Sequence, residues 1–254
     1  VMNLYGADHH LLVVGDTIEA DSHKHSFVQV TLSLGLAYEI EIGGECFRCS
    51  GIAIDSNVVH RLNGLGQPLL LLLMDSTSDL AACFKRRIGG HSLYVFPEEM
   101  LDTTSEFARG NYQAIGDSAS YTSFLLQLLR LLGVDYIQRT VKDRRIAEVI
   151  HLLKECDSSE HSVGAFSEQV NLSDSRLSHL FKENTGISLS GYLTLHKLQK
   201  AIYLIFAGRS ITDAALTAGF DSPSHFAATG KKLLGMTAKE IRKDSVFLKV
   251  ACSL

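Results

Sequence analysis

The chain has 254 residues, an apolar fraction of 46% and a formal net charge of −4, enough for one large or two ordinary domains with real cores. Its five cysteines are odd in number and irregularly spaced, which excludes a disulfide framework. No cationic-plus-apolar signal segment opens it, and its longest aliphatic run, 69–74, is far short of the ~20 residues of a membrane span. A reducing, soluble, cytoplasmic setting without membrane contact is therefore expected. The charge is unevenly divided. From Val141 onward there are 15 Lys+Arg and 12 Asp+Glu, a net of +3; before it there are 9 and 16, a net of −7. That pattern suits a mildly basic C-terminal module on an acidic N-terminal one.

Residues 11–74 read as β. Leu11-Leu12-Val13-Val14 is a short apolar run, and Phe27, Val30, Leu32 and Leu34 are strand-like. Tyr38-Glu39-Ile40-Glu41-Ile42 alternates strictly, and Gly43-Gly44 then supplies a hairpin turn before Glu45-Cys46-Phe47-Arg48-Cys49. Residues 64–68 form a turn, and 69–74 a buried strand. Many short strands at this spacing predict a barrel or sandwich. Character changes after Asp75. Ser76 or Ser78 can cap a helix through Arg87, ended by Gly89-Gly90. Residues 103–115 and 119–133 read as helices, the second with Phe124, Leu125, Leu128, Leu129 and Leu132 on one face. Residues 137–142 are the predicted linker. Beyond it the pattern is helical throughout: 143–156, 163–170, 174–185, 189–207, 211–217, 223–234 and 238–243. The domains expected are thus 1–136 and 143–254.

The C-terminal helices repeat a device. Leu177/Phe226, Lys182/Lys231, Gly186/Gly235 and Ser188/Thr237 all stand 49 residues apart. Each copy reads as a short helix, a tight turn and a second helix. In the first, Asn171 tolerates the positive φ of the turn and Ser173 caps the next helix. Leu177, Leu180 and Phe181 face inward, leaving Ser175, Arg176, His179 and Lys182 outside. Arg and His on a short polar face suit base edges in a major groove, and Lys182 suits phosphate. In the second copy Gly219 supplies the turn and Ser222 the cap. Ser224, His225, Ala228 and Thr229 face out, with Lys231 and Lys232 supplying charge.

Ile211-Thr212-Asp213-Ala214-Ala215-Leu216-Thr217-Ala218-Gly219-Phe220-Asp221-Ser222-Pro223-Ser224-His225-Phe226 resembles the C-terminal signature of the AraC/XylS family of bacterial transcription regulators, over about residues 143–244. The resemblance implies an α+β protein: an N-terminal cupin-like β-barrel with dimerisation helices, and an all-α C-terminal domain with two helix-turn-helix units. A bridging helix at about 189–206 would hold both units rigidly, their recognition helices entering successive major grooves about 34 Å apart. The expected partners are double-stranded DNA, a second copy of the chain, a small-molecule effector and RNA polymerase. No enzyme activity is expected. The face around 124–132 is the implied dimer surface, with packing against the barrel as its alternative. The chain departs from the family at Gly230, where an aromatic is usual. It also departs at Leu189 and Ala238, where Pro is usual, and near Ala228, where Arg is common. Gly230 costs about 1 kcal/mol of helix propensity and forgoes about 1.5–3 kcal/mol of aromatic burial. Most specificity is therefore expected from the first unit.

In the N-terminal half His23, His25, Gln29 and the later His60 resemble, more loosely, the paired motifs of a cupin barrel. On a strand, residues i and i+2 share a face, so His23 and His25 can share a pocket. These four side chains are the candidate effector site. A divalent metal on His23, His25 and His60 is the alternative, although Gln29 stands where an acidic ligand is usual. A cupin-type metalloenzyme with a helical appendage is the rival function, and it leaves the tandem repeat unexplained. Cys46 and Cys49 lie at i and i+3 on a strand, on opposite faces, and are expected to be structural.

Overall fold

The computed structural model describes residues 2–16, 18–136, 141–155, 162–234 and 245–249. Strands β1 (Met2–Gly6), β2 (His10–Gly15), β3 (Glu19–His23), β4 (Phe27–Ser33), β5 (Tyr38–Ile42), β6 (Glu45–Cys49), β7 (Gly51–Ile54), β8 (His60–Asn63) and β9 (Leu69–Asp75) come first. Helix α1 (Asp79–Ile88), strand β10 (Leu93–Val95) and helices α2 (Glu98–Asn111) and α3 (Ser118–Leu131) follow. Then come α4 (Arg144–Glu155), α5 (Val163–Gln169), α6 (Asp174–Thr185), α7 (Leu189–Phe206), α8 (Ile211–Thr217), α9 (Pro223–Leu234) and a final strand β11 (Ser245–Lys249).

The larger sheet has the order β10-β7-β4-β9-β2-β1-β11 and the smaller one β3-β8-β5-β6. The aliphatic run in β9 shows how they stack. Leu69, Leu71 and Leu73 join a buried cluster with Tyr38, Ile40, Ile42 and Leu62 of the smaller sheet. Leu70, Leu72 and Met74 point the other way, into a second cluster with Leu80 and Phe84 of α1, Leu101 of α2 and Leu128 of α3. Both faces of the strand are covered, which is why it carries no polar alternation.

Local signals set the helix ends. Ser78 accepts from the Ala81 amide to open α1, and Gly89 closes it at φ 67°. Asp117 and Ser120 form a reciprocal cap at the start of α3. Helix α2 begins five residues before its predicted start. Pro97 precedes it in extended conformation, and Glu98 and Glu99 fill its first turn, where carboxylates favour the helix N-terminus.

Three expectations need correction. Phe124, Leu125, Leu128, Leu129 and Leu132 are all buried in the chain's own second cluster, so the leucine face is a packing surface against the larger sheet and not a dimer surface. The C-terminal segment is not wholly helical: β11 pairs in parallel with β1, Met2 opposite Ser245 and Gly6 opposite Lys249. The helical half thus returns a strand to the N-terminal sheet. His25 does not lie on a strand with His23. His23 ends β3 and His25 sits in the bend before β4. The helix predicted at 238–243 lies outside the described residues, as do most of the linker residues.

Helix α7 belongs to two cores. Leu189, Tyr192 and Leu193 pack with α4, α5 and α6, through Ile146, Phe166 and Phe181. Leu195, Leu198, Ala201, Ile202 and Ile205 pack with Ala214, Ala215, Phe220 and Phe226 of the second helical pair. That second core is continuous with the interior of the two sheets.

Candidate functional site

The two helix pairs α5/α6 and α8/α9 turn by the same geometry. Asn171 stands at φ 52° and Gly219 at φ 88°. The Leu172 amide reaches back to the Ser167 carbonyl at 2.9 Å, and the Phe220 amide to the Ala215 carbonyl at 3.0 Å. These turn partners are 48 residues apart, whereas Leu177 and Phe226 are 49 apart. The second turn therefore carries one extra residue. Serines cap every helix of the device. Ser162, Ser173, Ser188 and Ser210 each accept from a backbone amide three residues on, and Ser222 accepts from the His225 amide at 3.0 Å.

On α6 Ser175, Arg176 and His179 are exposed, opposite buried Leu177, Leu180 and Phe181. On α9 Ser224, His225 and Lys231 are exposed and Thr229 is half-buried, with Phe226 buried beneath them. The His225 ring lies 3.0 Å from the Asp221 carboxylate, one turn back. The side chain of Lys232 lies outside the described residues.

A family profile described as a helix-turn-helix domain matches residues 166–244. An uncharacterized HTH-type transcriptional regulator of Staphylococcus aureus is 30% identical over 128 residues, which cover 47% of this chain and 17% of that protein. The HTH-type transcriptional activator RhaS of Escherichia coli is 28% identical over 129 residues, covering 50% of this chain and 46% of that protein. Residues 166–244 form an AraC-type helix-turn-helix domain. The chain spans less than half the length of these curated relatives. Among solved structures, apo ToxT of Vibrio cholerae superposes with a TM-score of 0.49 at 10% identity, over 92% of this chain and 97% of that one.

Gly230 is the weak point of the AraC-type domain. It is buried in the third turn of α9 with helical φ, and a Cβ placed there meets no described atom within 4 Å. Gly230→Ala is expected to stabilise the domain by about 1 kcal/mol. A thermal melt should show this as a rise of about 2–4 °C; a fall would mean that the space is not free.

Lys182 is not placed as expected for a phosphate contact. Its ammonium donates to the Thr77 carbonyl and, at 2.7 Å, to the Gly186 carbonyl, and it lies 4.0 Å from the Asp79 carboxylate. The C-terminal carbonyls of α6 attract the cation, and the turn before α1 supplies the rest. The two halves meet closely here. The Asp79 amide donates to the Gly186 carbonyl at 2.8 Å, and the Ser188 amide to Thr77 Oγ1 at 3.0 Å. Gly186 has φ 75°, and a Cβ on it would lie 2.7 Å from Asp79 Oδ2. Farther along, Gln199 donates to the Ala7 carbonyl at 2.6 Å and the Tyr192 hydroxyl to Asp8 at 3.3 Å.

Beneath this junction lies a buried chain that sequence reasoning missed. His9 and His10 face each other through their Nδ1 atoms at 2.9 Å. His10 Nε2 lies 2.6 Å from the Tyr121 hydroxyl, and His9 Nε2 lies 3.3 Å from that of Tyr136. Burial pushes the His9 imidazole down to about 4, with Asp79 opposing that shift and Lys182 adding to it. Burial, then the neighbouring His9, holds His10 well below the ordinary histidine range. The available signal was a pair of histidines running directly into the apolar Leu11-Leu12-Val13-Val14.

The second histidine cluster was foreseen, and the structure brings it together. His60 opens β8 and is the cross-strand partner of His23. Ring centroids are 4.4 Å apart for His23 and His60, 5.0 Å for His25 and His60, and 5.5 Å for His23 and His25. His25 Nε2 lies 2.8 Å from the Gln29 amide, which in turn donates to Thr31 at 2.9 Å. His25 and His60 are buried and His23 is half-buried. Burial lowers the pKa of His25, and burial takes His60 down to about 4.

Proposed function

We propose that this chain is a DNA-binding transcription regulator in which the AraC-type domain holds double-stranded DNA and the N-terminal sheets sense a small molecule. The observation that carries this reading is the doubled helix–turn–helix of 163–234, joined by one helix that is built into both cores. Such a bridge fixes the spacing of α6 and α9, as reading two major-groove segments requires. Curated relatives bearing the same kind of domain are named as transcriptional regulators, which favours regulation over catalysis. No helix among the described residues is long and apolar enough to cross a membrane, in keeping with a cytoplasmic protein. We take the regulator to act as a homodimer, with RNA polymerase as the partner of its output.

Effector response requires that the effector bind two arrangements of the halves unequally. The junction of Thr77 and Asp79 with Lys182, Gly186 and Ser188 is the contact that such a change would make or break. Selection of bound sequences from random duplex DNA, with and without cell extract, tests the whole assignment. One enriched motif with two half-contacts a helical turn apart is the expected result. No enrichment under either condition would overturn it.

A further inference from the structure

Each ring of the second histidine cluster has its Nδ1 beside a backbone carbonyl. His23 lies 2.6 Å from the Asp21 oxygen, His25 3.2 Å from that of Phe27, and His60 3.0 Å from that of Val58. A carbonyl only accepts, so in the neutral rings of His23 and His60 the proton sits on Nδ1 and the lone pair on Nε2. His25 has an acceptor at each nitrogen, the Phe27 carbonyl and the Gln29 amide oxygen, and frees an Nε2 lone pair only on leaving Gln29. The second nitrogen of a metal-bound histidine is typically held in this way, fixing both tautomer and ring direction. Yet His60 Nε2 is buried without a hydrogen-bond partner among the described residues. A buried polar atom left so costs about 1–3 kcal/mol unless something else engages it. One ring nitrogen from each of His23, His25 and His60 lies within 4.8 Å of the other two.

We propose that His23, His25 and His60 bind one transition-metal ion, with zinc(II) the best match, through their Nε2 atoms, leaving a fourth position open. Three neutral imidazoles without a carboxylate suit zinc, copper, iron or nickel and disfavour magnesium or calcium. Metal–nitrogen bonds of about 2.0–2.1 Å set tetrahedral nitrogens roughly 3.3 Å apart, so the ion draws the three rings closer than they stand. His25 then exchanges Gln29 for the metal. Gln29, held by Thr31, remains beside the site as a hydrogen-bonding group for whatever occupies the fourth position. The half-buried His23 gives that position its access to solvent. The site ties the end of β3 to β8 and to the bend before β4, so the ion stabilises the fold of the sensing half. This inference does not rest on DNA binding, and its failure would leave the sequence-selection result untouched.

The test uses the full chain, stripped with chelator and titrated with cobalt(II) as a spectroscopic probe, then with zinc(II) in competition. The expected result is one ion per chain, a visible d–d spectrum of a nitrogen-ligated tetrahedral site, and a higher melting temperature with zinc. His23→Gln and His60→Gln should each weaken uptake by about 100-fold or more, beyond the ~10–100-fold typical of residues that only orient a ligand. Cys46→Ser with Cys83→Ser should leave uptake unchanged. Uptake below one ion per chain, or equal uptake by His23→Gln, would overturn the proposal. Should His60→Gln fail to fold, the half-buried His23→Gln decides alone, with circular dichroism confirming its fold.

Discussion

Replacing Arg176 and His179 together by alanine is expected to remove sequence-specific DNA binding and leave weak, salt-sensitive association. Both side chains are exposed on α6 above buried Leu177, Leu180 and Phe181, so their loss should change stability by no more than about 0.5 kcal/mol. A good base contact is worth about 1–3 kcal/mol, so the pair should cost ~30-fold or more in preference for the selected site over random duplex. The residual binding should fall steeply with salt, because it rests on phosphate contacts alone. Competition binding across a salt series gives both quantities. An unchanged preference would remove α6 from the role of reader. The same measurement on His225→Ala should show a smaller loss, since that ring is already engaged by Asp221.

Acid should destabilise the protein through the junction between its halves as well as through His25 and His60. Burial holds the folded pKa of His9 at about 4, against 6.5 for an ordinary imidazole. Between those values the unfolded chain binds the proton and the folded chain does not. Stability from this group is therefore complete above about pH 6.5 and is lost as pH falls toward 4. The full shift corresponds to about 3 kcal/mol, with about 2 kcal/mol gone by pH 5. His10, held well below the ordinary histidine range by burial, adds to the same slope. Urea titrations at pH 7 and pH 5 measure the difference. His9→Gln should start less stable and depend less on pH; an equal slope in the variant would show that His9 is not the group. A proton on His9 would also add a second cation to the surroundings of Lys182, with Asp79 the charge that opposes it among the described residues.

The C-terminal helices were legible because their signals are local. Ser173, Asn171, Gly219 and Ser222 each act within four residues of themselves, so the predicted limits of α6, α8 and α9 match the structure. The histidine cluster was legible in its members and not in its geometry. His23 and His60 meet as cross-strand partners, and the end of β3 at His23 breaks the simple alternation that would have paired His23 with His25. What could not be read depends on distant residues. Strand β11 has meaning only beside β1, more than 240 residues earlier. Leu93–Val95 is too short to show a period. Lys182 has the sequence position of a phosphate ligand, and the Gly186 carbonyl together with the approach of Thr77 and Asp79 turns it aside. The leucines of α3 carry the same pattern whether they meet another copy or their own sheet, and here the larger sheet claims them.

The shared core of α7 limits where this protein can be cut. A fragment beginning at 143 would retain both turns, but it would bare the flank of α7 from which Gln199 reaches Ala7 and would leave β11 without β1. The complementary fragment would end with β1 as a naked outer strand, its backbone groups open to any chain that offered a mate. Neither piece is a finished molecule. The stretch that reads as a hinge in the sequence is crossed elsewhere by a strand, a helix flank and a lysine, so severing it would create two sticky halves.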